Sequence, residues 1–65
     1  NEQIFTNISE AINAIQNFES HDIDELKFIK FEILVEFNNN DVVEGTFHDK
    51  IRAIDFLRLI AGDVV

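Results

Sequence analysis

Residues 27–47 read KFIKFEILVEFNNNDVVEGTF, and the alternation in this stretch decides the fold. Ile29, Phe31, Ile33, Val35 and Phe37 fall on one side of an extended chain. Lys30, Glu32 and Glu36 fall on the other, with Leu34 as the apolar exception. Strand side chains alternate between two faces, so this period of two predicts a half-buried strand over 27–37. Asn38-Asn39-Asn40-Asp41 follows, residue types that tolerate left-handed turn geometry. Residues 42–48 predict a second, shorter strand, and the two together a β-hairpin.

The faces constrain the register. Val43 and Phe47 must join the apolar side of the first strand. Setting Val43 opposite Phe37 puts Gly45 opposite Val35 and Phe47 opposite Ile33, whereas a slip of one residue sends Val43 and Phe47 to the wrong face. Such a pairing needs an odd loop, of about three or five residues, and a three-residue loop with a bulge is a common solution. On the polar face this register places Glu36 opposite Glu44, Glu32 opposite His48 and, if the ladder extends, Lys30 opposite Lys50.

Helical periodicity flanks the hairpin. Over 2–19, Ile4, Ile8, Ala11, Ile15 and Phe18 form one stripe, widened by Phe5 and Ile12, while Asn7, Glu10, Asn13, Gln16 and Asn17 lie opposite. This predicts an amphipathic helix. Asn7 with Glu10 three residues on matches a capping box, which would start the regular helix later. Residues 20–25 are a polar connection. Over 49–61 the helical period returns: Ala53, Ile54, Phe56, Leu57, Ile60 and Ala61 share a broad face, with Asp49 placed as N-cap and Gly62 as the C-terminal stop. Leu59 falls among Arg52, Asp55 and Arg58 and is expected to be exposed.

The fold class is therefore α+β: one small two-layer α-β-β-α domain over 1–65, its hairpin covered on one face by two amphipathic helices. Two helices side by side span about 20 Å, and the strands of a hairpin lie only about 5 Å apart. The floor is narrow for its cover, and two strand edges stay bare. A domain of 65 residues buries only about 60% of the surface its unfolded chain exposes. Cys is absent, so neither disulfides nor thiolate–metal sites can reinforce the core. A homodimer would address both problems, with Leu34 and Leu59 as candidate self-association residues.

Composition narrows the function. The chain is 46% hydrophobic with seven Phe, unlike a disordered tail. No apolar run reaches the roughly 20 residues of a membrane span. No signal-peptide pattern is visible, so a cytoplasmic location is expected. Thirteen acidic residues against five basic ones give a formal charge of −8. Direct nucleic-acid binding, which draws its affinity from Lys and Arg, is disfavoured. Anionic membrane surfaces are disfavoured for the same reason, whereas a basic partner would be steered inward.

No pattern in the chain specifies catalysis. His21-Asp22 and His48-Asp49 place imidazoles beside carboxylates, but no nucleophile motif accompanies them. Asp22, Asp24 and Glu25 form an acidic knot without the glycine turn of a calcium loop. No glycine-rich phosphate cradle exists. No cofactor, metal or catalytic residue is assigned, and the chain is not expected to be an enzyme. The expected function is a small acidic protein-interaction module. Glu32, Glu36, Asp41 and Glu44 on the hairpin, with Asp22, Asp24 and Glu25 as a second cluster, are its candidate interaction surface for a basic or nucleic-acid-binding protein. An inhibitor of the phage or mobile-element kind is its sharper form. The alternative is a structural or regulatory homodimer subunit that works through apolar surface, with acidity only for solubility.

Overall fold

The computed structural model describes residues 2–19 and 28–62. In chain order they form α1 (Ile8–Gln16), β1 (Phe31–Glu36), β2 (Val42–Phe47) and α2 (Lys50–Ala61). The class is α+β, with one antiparallel hairpin and two helices.

Each element ends where a local device stops it. Asn7 is extended, with φ −145° and ψ 158°, and its side chain accepts the Glu10 amide at 2.9 Å. This cap satisfies an otherwise orphaned N–H and starts α1 at Ile8. The helix expected over 2–19 is thus shorter, and Ile4 and Phe5 stand outside it, exposed. Asp49 repeats the device for α2, accepting the Arg52 amide at 2.8 Å. Gly62, at φ 81°, closes α2 in the left-handed conformation that glycine adopts without steric cost.

The first strand begins at Phe31, four residues later than the period-two pattern alone predicts, and Lys27 lies outside the described residues. The reason is the partner. β2 ends at Phe47 because His48-Asp49 turns into α2, so residues 28–30 face no strand backbone. The His48 ring takes over there, its Nδ1 donating to the Ile29 carbonyl at 3.1 Å. Carbonyls only accept, so the contact selects the tautomer protonated at Nδ1.

The register differs from expectation by two residues. Phe31 pairs with Phe47, Ile33 with Gly45, Val35 with Val43 and Glu36 with Val42. Parity is unchanged, so every apolar side chain keeps its expected face. The turn sets the difference. Phe37 N–H donates to the Asp41 carbonyl at 2.9 Å, and Asn40 N–H to the Phe37 carbonyl at 3.0 Å. Asn40 takes the positive φ of 71°. The result is a three-residue loop, Asn38-Asn39-Asn40, with a left-handed bulge residue. Asn39 Oδ1 accepts the Asp41 amide at 3.1 Å and Asn39 Nδ2 donates to Asp41 Oδ2 at 2.9 Å, which braces that choice.

Packing centres on α2. It approaches both strands and also α1, and Ala53, Ile54 and Leu57 are the buried apolar residues among those described. Phe56 lies 5.0 Å from Phe47, centroid to centroid. Both rings crowd Gly45, where a Cβ would come within 2.7 Å of Phe47 Cε2 and 3.1 Å of Phe56 Cζ. Gly45 therefore makes room for the aromatic pair under α2, as expected of a glycine in a strand interior. α1 packs on α2, and beyond its end Phe18 meets Phe31 edge-on at 5.7 Å. Lys50 ties the two helices together, donating to the Gln16 carbonyl at 3.0 Å and the Phe18 carbonyl at 2.6 Å. A cation at the end of α1 meets unpaired carbonyls and the negative end of the helix dipole.

Candidate interaction surface

The outer face of the hairpin carries Glu32, Leu34 and Glu36 from β1, and Val42, Glu44 and Thr46 from β2, all exposed. The two-residue change of register rearranges the acidic stripe. Glu36 stands opposite Val42 and not Glu44, Leu34 opposite Glu44, and Glu32 opposite Thr46 and not His48. Lys30 does not reach Lys50, whose ammonium is committed to α1. Directly facing carboxylates are unfavourable across strands, and the observed register replaces that pairing with acid–aliphatic pairs. Glu36 and Glu44 become diagonal neighbours around Leu34 and Val42.

The carboxylates differ in what they are free to do. Glu32 is held by Lys30 at 2.8 Å. That contact lowers the Glu32 pKa, by hydrogen bonding first and charge attraction second, and raises that of Lys30 for the same reasons. Asp41 is committed to the turn through Asn39. Glu36 and Glu44 make no ion pair among the described residues, so they are the face's available negative charges. Asp22, Asp24, Glu25 and His21 lie outside the described residues.

Leu34 is 57% exposed and Leu59 62%. Leu34 sits at the middle of the outer face. Leu59 lines an open groove of about 690 Å³ with Phe47, His48, Arg52, Asp55 and Phe56. Asp49 borders that groove and also holds Arg52, Oδ2 to Nε at 3.5 Å. Among the described residues no three His, Cys, Asp or Glu side chains are placed to hold a metal ion, and no polar side chain is buried. No helix among them is long and apolar enough to cross a membrane.

Exposed apolar residues that the sequence pattern did not mark include Phe28, 80% exposed just ahead of β1, together with Val42 and Ile51. Val42, at 50% exposure, lies beside Leu34 on the outer face. Its even position relative to Val43 was the available signal. Ile51 is 73% exposed, and it projects from α2 about a third of a turn away from Leu57, next to Arg58 in helical projection. Comparison with protein families, with curated proteins and with solved structures finds no match for this chain.

Proposed function

We propose that this chain is a small acidic protein-interaction module that docks the outer face of its hairpin on a basic surface of a partner protein, and that it works as a homodimer whose helices cover the opposite face of the sheet. The observation that carries the reading is the arrangement of Glu36 and Glu44 around exposed Leu34 and Val42. An apolar centre with a charged rim is the anatomy of a docking patch, and the net charge of −8 extends its field. A nucleic-acid-binding protein is the sharper candidate, since its phosphate-contacting surface is basic. The incomplete core supports the dimer: α1 buries no residue fully, although its apolar stripe is well formed.

Affinity capture at about 50 mM and about 500 mM salt, strong and weak ends of the electrostatic range, tests the docking face. The wild-type bait is run beside Glu36→Gln/Glu44→Gln and Leu34→Ser. A nucleic-acid-binding partner caught at low salt and lost with the double variant is the expected result. Binding that survives high salt and the double variant but is lost with Leu34→Ser assigns the interaction to apolar surface and leaves the charge to solubility.

A further inference from the structure

We infer that two copies of this chain pair antiparallel through the edges of β1 that turn away from β2, with Ile33 facing Ile33 and Lys30 of each copy facing Glu36 of the other. The inference rests on the dimeric part of the reading above and gives it a geometry.

The backbone supplies the edge. Antiparallel ladders alternate between hydrogen-bonded and non-hydrogen-bonded pairs. The Phe37–Asp41 bond makes Val35–Val43, Ile33–Gly45 and Phe31–Phe47 the bonded pairs. Glu32, Leu34 and Glu36 therefore direct their N–H and C=O groups away from β2, and among the described residues those groups have no backbone partner. Such a row is a template for another strand. β1 is built from Phe, Ile, Leu, Val and Glu without a glycine, whereas β2 is interrupted by Gly45, so β1 offers the better strand.

Strand length and charge together select the occupant and the register. Joining two β1 edges about Leu34 sets Glu32 against the second copy's Glu36, and joining them about Glu32 sets that residue against itself. Facing like charges oppose both. Joining them about Phe31 or Val35 sets no two carboxylates face to face, but overlaps only one or three residues of β1, against five about Ile33 or Leu34. Joining them about Ile33 brings no two carboxylates face to face. Lys30 then meets Glu36, Glu32 meets Leu34, and on the inner face Phe31 meets Val35. Lys30 is already held over the outer face by Glu32 at 2.8 Å, where the second copy's Glu36 arrives. One cation then serves two carboxylates, so Glu36 is only partly neutralised in the dimer and Glu44 stays the fully available charge of the docking face. Two β2 edges have no such solution, because Val42, Glu44 and Thr46 include no cation. The half-covered side chains of Phe31, Ile33 and Val35 gain apolar neighbours in the same step, which supplies the driving force that an exposed ion pair lacks.

Sedimentation equilibrium over a concentration series at low salt tests the pairing with wild type, Lys30→Glu, Glu36→Lys and the double variant, each checked for helix content by circular dichroism. Each single reversal alters two symmetry-related contacts and is expected to weaken the dimer on the order of tenfold. The double variant, which restores opposite charges across the edge, is expected to recover it. The two single variants change net charge in opposite directions, so general repulsion would weaken one and strengthen the other. A Glu36→Lys dimer tighter than wild type overturns the inference. A dimer indifferent to all three variants overturns the edge pairing and leaves the dimer standing on another surface. A chain that stays monomeric throughout removes the dimer itself. Cysteine substitution reads the register directly, since the chain has no other Cys. Ile33→Cys places two thiols in a non-hydrogen-bonded pair, about 4.5 Å between Cα atoms and within disulfide reach. It is expected to cross-link on mild oxidation faster than Leu34→Cys; the reverse order overturns the register.

Discussion

The two helices are built alike and packed differently. Each starts at an Asx cap whose side chain accepts an amide three residues on, Asn7 for α1 and Asp49 for α2. α1 separates apolar from polar residues more cleanly, yet buries none of them fully, while α2 carries Ala53, Ile54 and Leu57 in the core despite exposed Ile51 and Leu59. α2 also closes itself with Gly62, whereas the carbonyls at and just beyond the end of α1, those of Gln16 and Phe18, are served by Lys50 from α2. Amphipathic pattern states which side of a helix seeks cover. How much cover it receives depends on its neighbours: α2 has the hairpin on one side and α1 on another, and α1 has chiefly α2.

The largest test of this contrast is a pair of truncations. Leu57→Ala, at a position 2% exposed, is expected to cost about 3 kcal/mol in urea unfolding, and Ile15→Ala on half-buried α1 about 1 kcal/mol. Equal costs would mean that α1 is as buried in solution as α2, and the contrast would fail. Gly45→Ala follows, at about 2 kcal/mol, because the added methyl displaces the packed Phe47 and Phe56 rings. A stabilising effect would show those rings to be loosely held. Lys50→Met removes both charge-assisted bonds to the end of α1 and is expected to cost about 1.5 kcal/mol. Amide exchange should accelerate in α1 more than in α2, which sharpens the comparison beyond a stability number. Asn7→Ala and Asp49→Ala each remove one cap, at about 1 kcal/mol apiece; the α1 cap should report as local fraying and the α2 cap as global destabilisation.

The smallest effect belongs to the exposed Lys30–Glu32 pair. The lowered Glu32 pKa means that its contribution is present above the ordinary carboxyl value of 4.5 and is lost as pH falls through the folded value. The raised Lys30 pKa means that its contribution is present below the ordinary value of 10.5 and is lost as pH rises through the folded value. Carboxyl carbon resonances should place the Glu32 midpoint below 4.5 in the wild type and return it towards that value in Lys30→Met. An unchanged midpoint would show that the pair is not populated in solution.

Much of the architecture was legible because its causes are local. A period of two assigns the hairpin faces, helical spacing assigns the stripes, and Asn7, Asp49 and Gly62 mark helix ends through bonds to residues a few positions away. The polar run Asn38–Asp41 likewise marked the turn, with a loop of about three or five residues left open. The register was not legible, because a shift of two residues leaves every side chain on its own face. The position of the left-handed residue, Asn40, settles it. The candidate surface changed with it: Glu36 and Glu44 moved from opposition to a diagonal, and Val42 joined Leu34.

The sequence by itself determined the element types and order, the apolar face of each element, the caps and the strongly acidic charge, since these follow from residue types and short spacings. Only the tertiary structure decided which helix holds the core, that Lys50 bridges to carbonyls 34 and 32 positions away, that His48 serves Ile29, and which carboxylates remain free. Those outcomes depend on groups brought together by folding, and a one-dimensional pattern carries periods and neighbours but no distances between remote residues.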